Sequence, residues 1–152
     1  MNTLIGESPR DPPPSPLEDS DSSDEPNDPL VLKQVLADLI RFTKELGSTH
    51  QKVAETWNTL GLIRLHMQRN IKAAMKCHEE ALSIYKATGG STIDVAVTLN
   101  DLGRCYERLN DIEKALEIYE RAECLIREDK TARQNHGVMD SLDRAVARLR
   151  RL

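Results

Sequence analysis

Val53-Ala54-Glu55-Thr56-Trp57-Asn58-Thr59-Leu60-Gly61 returns 42 residues later as Val95-Ala96-Val97-Thr98-Leu99-Asn100-Asp101-Leu102-Gly103. Six of the nine positions are identical: Val, Ala, Thr, Asn, Leu and Gly. The segments that follow align at an offset of 41, Ile71-Lys72-Ala73-Ala74 with Ile112-Glu113-Lys114-Ala115 and Ala81 with Ala122. One extra residue therefore sits in the Gln68–Asn70 turn of the first copy. A period near 40 residues points to a stacked array of like units, because a single unit cannot bury its own apolar face.

Working outward, each unit reads as two helices. Ser48 as N-cap with Gln51 three residues on forms a capping box, and the helix it opens runs to about Gln68. After a turn at Arg69-Asn70, a helix from Ile71 runs to about Ala87 and stops at Gly89-Gly90. Ser91 with Asp94 starts the next helix, and a turn at Asn110-Asp111 separates it from a helix reaching about Lys130. Upstream, Asp28 as N-cap and Pro29 at the first helical position open a helix. Leu32, Val35, Leu36, Leu39, Phe42 and Leu46 recur along it at spacings of three and four, up to Gly47. Lys44-x-x-Gly47 lies 42 residues before Lys86-x-x-Gly89, so this helix reads as the second half of a degenerate earlier unit. After a break at Asn135-His136-Gly137, a last helix carries Val138, Leu142, Ala145, Val146 and Leu149 to the end. No segment alternates with period two, so the body is expected to be all helix.

Charge divides the chain differently from its formal total of −4. Residues 1–30 hold eight acids against Arg10 alone, a net of −7, while the other 122 residues carry +3. All seven prolines fall between Pro9 and Pro29. Low hydrophobicity with high net charge cannot offset the entropy of ordering, so 1–28 reads as a disordered acidic leader. Ser8-Pro9 and Ser15-Pro16 have the minimal pattern for proline-directed phosphorylation, and Ser22 precedes Glu25 by three; a solubilising tail accounts for the same residues.

The chain resembles the tetratricopeptide repeats. Their Trp-x-x-Leu-Gly-x-x-Tyr, Ala-x-x-x-Phe and second Ala are met by Leu99-x-x-Leu102-Gly103-x-x-Tyr106, Ala115-x-x-x-Tyr119 and Ala122. The first copy has Trp57-x-x-Leu60-Gly61, Ala74 and Ala81, with Arg64 in the tyrosine position. The pattern expresses packing: Gly61 and Gly103 let paired helices approach, the alanines fill the narrow contact, and the large residues occupy the gaps. The 42-residue period and the run from Val95 to Leu102 are similar to the kinesin light chain type of this family, although the chain has only two full repeats and lacks the long heptad segment of those proteins.

The resemblance implies an all-α, antiparallel helix-hairpin α-solenoid: a half-repeat over 29–47, repeats over 48–90 and 91–130, and a capping helix over 138–152. It also implies a concave face lined by the first helix of each pair. The residues reaching that groove are then Glu55, Asn58, Leu62 and His66 in one copy, and Val97, Asn100, Arg104 and Arg108 in the other. An asparagine at the place of Asn58 and Asn100 can hold the backbone of an extended peptide in this family. Arg104 and Arg108, one turn apart, favour an acidic peptide, unless they are spent on Asp101 or Glu107. Leu62 stands where the carboxylate clamp of chaperone-binding members needs a polar residue, so that role is not carried over.

The expected function is a non-catalytic adaptor or scaffold that grips a peptide or helix of a protein partner. The alternative is a structural subunit whose faces are buried in a larger assembly, including a homodimer through the open repeat ends. No nucleophile-and-base arrangement, phosphate loop or dinucleotide glycine pattern is present, so neither enzyme activity nor a cofactor is expected. His66, His78 and the cysteines Cys77, Cys105 and Cys124 fit no metal-ligand spacing; the histidines read as ordinary surface or interface residues and the cysteines as small buried apolar ones. With 3% aromatic residues, no base-stacking surface for nucleic acid is offered. No apolar run reaches the roughly 20 residues needed to span a bilayer, and Met1–Arg10 has no signal-peptide pattern, so a reducing, cytoplasmic setting is expected. Arg144, Arg148, Arg150 and Arg151 give the last helix a basic stripe, read first as the polar face of a cap and second as a surface for membrane or for the acidic leader.

Overall fold

The computed structural model describes residues 29–152. The leader, its serines and the Asp28 cap lie outside the described residues. Six α-helices follow one another: α1 Pro29–Leu46, α2 Gln51–His66, α3 Ile71–Thr88, α4 Thr92–Arg108, α5 Ile112–Glu128 and α6 His136–Arg150. A 3-10 turn, Ala132–Gln134, joins the last two. No strand occurs among the described residues.

Local chemistry sets most of the boundaries. Asn70, Ser91 and Asp111 each accept a hydrogen bond from the backbone N–H three residues on, satisfying one orphan donor of α3, α4 and α5. Ser91 also donates to Asp94 Oδ2 at 2.7 Å, which locks the α4 entry. Both repeat turns end on a residue with left-handed backbone just before the cap, Arg69 at φ 50° and Asn110 at φ 62°. Gly89, at φ 69°, closes α3, a conformation that costs glycine no Cβ clash.

Two starts differ from the sequence reading. Ser48 does not cap α2: Gly47 turns left-handed at φ 98°, Ser48 and Thr49 are consumed by the turn, and His50 Nδ1 accepts from Lys52 N instead. Gln51 then donates to Glu55, so no capping box forms. Asn135 is not part of a break but the cap of α6, accepting from Val138 N, which brings His136 and Gly137 into the first helical turn.

Successive helices pack as antiparallel neighbours, and α2 also touches α4, as α4 touches α6. The first helices of the hairpins thus form one layer, with α1, α3 and α5 forming the other. The main core lies between α4, α5 and α6, around Leu99, Leu102, Tyr119, Ile126, Leu142 and Leu149. A second cluster joins α2 and α3 through Val53, Ala54, Ala81, Ile84 and Tyr85, with Leu39 and Phe42 of α1 against it. α1 buries no residue completely, and Ile40 is 70% exposed.

α6 stands to α5 as α4 stands to α3. Leu142, Ala145, Val146 and Leu149 are buried against the main core. Much of the basic stripe is neutralised: Arg148 binds Glu107 of α4 and Arg150 binds Glu120 of α5.

Candidate functional site

The close approaches at the glycines fix how α2 and α4 present their side chains. A Cβ on Gly103 would lie 2.5 Å from Tyr119 Cε1, and one on Gly61 would lie 2.6 Å from His78 Cε1. His78 therefore fills, in the first unit, the place Tyr119 fills in the second. It is fully buried, not the surface or interface residue expected from its isolation in sequence. The available signal was Ala74-x-x-x-His78, which has the spacing of Ala115-x-x-x-Tyr119.

His78 Nδ1 lies 3.0 Å from Asn58 Oδ1, Asn58 Nδ2 donates to Thr98 Oγ1 at 2.8 Å, and Thr98 Oγ1 donates to the Asp94 carbonyl at 2.8 Å. The terminal carbonyl can only accept, so every link is oriented and His78 must carry its proton on Nδ1. Its Nε2 is buried without a partner among the described residues. Desolvation accordingly lowers the imidazole pKa to about 4, keeping it neutral. Asn58 is thus half-buried and engaged between α3 and α4, holding the two repeats in register.

The other groove candidates divide by position. Glu55 is exposed, accepts from Gln51 and lies near the Lys52 ammonium at 3.7 Å. With Asp94 it also adds to the burial that raises Tyr85 to about 12. Leu62 is half-buried and Val97 is 37% exposed. Asn100, half-buried, makes no side-chain hydrogen bond among the described residues, so it differs from its repeat-mate Asn58.

His66, Arg104 and Arg108 come together across α2 and α4. Partial burial, then the charges of Arg108 and Arg104, hold the His66 imidazole below its usual value. Arg104 approaches the buried carboxylate of Asp101 at 3.9 Å. That burial pushes Asp101 up to about 6, with Arg104 opposing it. Glu107 is taken by Arg148 and by the Tyr119 hydroxyl, and Arg108 has no ion-pair partner among the described residues. No cluster of three metal-ligating side chains occurs among the described residues, and no described helix is long and apolar enough to cross a membrane.

The paired helices, the glycine approaches and the 42-residue period meet in one comparison: residues 52–123 match the family model described as tetratricopeptide repeat. These residues are tetratricopeptide repeats. The fold as a whole is similar to the crystal structure of BtubC (BKLC) from P. vanneervenii, with a TM-score of 0.60 and 20% identity. That likeness covers 79% of this chain and 54% of the other, so the chain spans about half the length of the protein it matches. No curated protein matches the sequence. Tetratricopeptide repeats generally mediate protein–protein interaction or scaffolding.

Proposed function

We propose that the chain is a non-catalytic adaptor that holds an acidic peptide or helix of a protein partner against α2 and α4. The observation that carries the reading is the meeting of His66, Arg104 and Arg108 on adjacent helices, with the buried Asp101 alone paired against them among the described residues. Arg104 and Arg108 supply charge-assisted bonds to carboxylates. Asn100, with its amide unengaged, holds the ligand's backbone, and Leu62 and Val97 give the apolar contact between. Asn58 acts from behind, fixing α4 against α2, while Glu55 marks the acidic boundary of the groove. In this reading 29–47 is a half-unit, 48–90 and 91–130 are the two repeats, and 138–152 is the cap. A cytoplasmic setting suits its three free cysteines.

The test is affinity capture by the full chain and by an Arg104→Ala, Arg108→Ala variant, followed by mass spectrometry. Both side chains are exposed, and because Arg104 offsets the buried Asp101 carboxylate, a modest fall in melting temperature is expected and is measured beside the capture. The variant is expected to lose partners that the parent binds in low salt and releases in high salt. Equal recovery by the two proteins would overturn the reading. One observation favours a second reading, a structural subunit or homodimer: among the described residues, α1 leaves Ile40 70% and Leu46 45% exposed.

A further inference from the structure

Away from the cationic face, α1, the turn after it, α2 and α3 enclose a cleft of about 290 Å³. Trp57 and Ile84 form its apolar floor, Thr49 and Ser83 supply hydroxyls, and Glu80 supplies a carboxylate. Glu80 is exposed and has no cation within ion-pair distance among the described residues. Trp57 is only half-buried, whereas its repeat-mate Leu99 is 1% exposed. At the 41-residue offset, Glu80 and Ser83 correspond to Arg121 and Cys124. Repeat packing therefore does not dictate Glu80 or Ser83, and the second unit reverses the charge at the first of them.

From this chemistry we infer that the cleft is a binding site for an arginine side chain of a partner segment. It is independent of the groove reading, since it uses none of the same residues. The face of an indole attracts a cation, and the attraction grows as water is excluded. A guanidinium is planar, stacks on the ring and presents a fork of donors to a carboxylate, which a lysine ammonium cannot do. Glu80, Thr49 and Ser83 are the acceptors such a group needs. The volume lies at the lower edge of the roughly 300–1,000 Å³ of small-molecule sites. It fits one long side chain better than a metabolite.

Trp57 is the chain's single tryptophan, so the site carries its own probe. The full-length protein is titrated with a blocked Gly-Arg-Gly peptide and with its neutral citrulline counterpart, following the indole NMR resonance and the emission. The expected result is a saturable shift with the arginine peptide alone. Glu80→Gln is expected to weaken it about tenfold, as loss of a charge-assisted bond does. Ser83→Leu fills the cleft from an exposed position on α3 and should abolish it. An equal response to citrulline, or unchanged binding by either variant at parental melting temperature, overturns the proposal.

Discussion

Burial drives His78 and Asp101 in opposite directions, and the signs can be worked through. The folded protein holds His78 at about 4 against an ordinary 6.5. Its stabilising contribution as a neutral group is full above pH 6.5 and is lost as pH falls toward 4. Asp101 is held at about 6 against an ordinary 3.8, so its buried charge burdens the fold above pH 6 and is relieved as pH falls. Over the same window one group loses what the other gains, each by about 3 kcal/mol. Asp101→Asn should uncover the histidine and lose stability on acidification from pH 7 to 4 relative to the parent. His78→Phe, which keeps a ring over Gly61, should uncover the aspartate and gain stability relative to the parent. Urea denaturation across that pH range, read as variant minus parent, measures both slopes. Parallel curves for all three proteins would exclude the compensation.

At the scale of helices, the two repeat glycines are the closest constraint on packing. Replacing a mid-helix glycine by alanine gains about 1 kcal/mol of propensity, while forcing an extra carbon into a packed contact costs about 1–3 kcal/mol. At Gly103 the cost should win, because Tyr119 is pinned by its 2.6 Å hydrogen bond to Glu107 and cannot swing away. Gly103→Ala is therefore expected to destabilise by up to about 2 kcal/mol net. Gly137→Ala in α6, where an added Cβ meets only Asn135 Oδ1 at 3.7 Å, should be neutral or stabilising by up to about 1 kcal/mol. Thermal denaturation of the two variants separates these signs. Period and turn residues made the helices legible in sequence: Ser91 read as a cap, and Asn70 and Asp111, read as turn residues, also act on backbone only three residues away. The start of α2 was not legible, because a histidine cap chosen by the shape of the Gly47 turn leaves no local pattern. The roles of Asn58 and His78 were hidden for a different reason: Asn58 meets Thr98 forty residues away, and only the fold brings them together.

Across the whole molecule, the two ends of the array are unlike. Among the described residues α1 leaves Ile40 and Leu46 exposed at its end, whereas α6 covers the other by setting Leu142, Val146 and Leu149 into the main core and clamping Glu107 and Glu120 with arginines. Two repeats are fewer than the roughly three an array usually needs, so the cap should carry a large share of the stability. Burying three branched aliphatic side chains is worth about 5–9 kcal/mol as an upper estimate. That is comparable with the roughly 5–15 kcal/mol separating folded from unfolded states of an ordinary domain. Ending the chain at Lys130 should therefore abolish the cooperative thermal transition, or drive the exposed Leu102, Ile118 and Ile126 into a dimer. Arg148→Ala, which removes one clamp and keeps the apolar contact, should lower the melting temperature by only a few degrees, as loss of about 1 kcal/mol does. Circular dichroism with analytical ultracentrifugation distinguishes these outcomes. A shortened chain that stays monomeric and melts like the parent would show that α6 rests on the repeats without stabilising them.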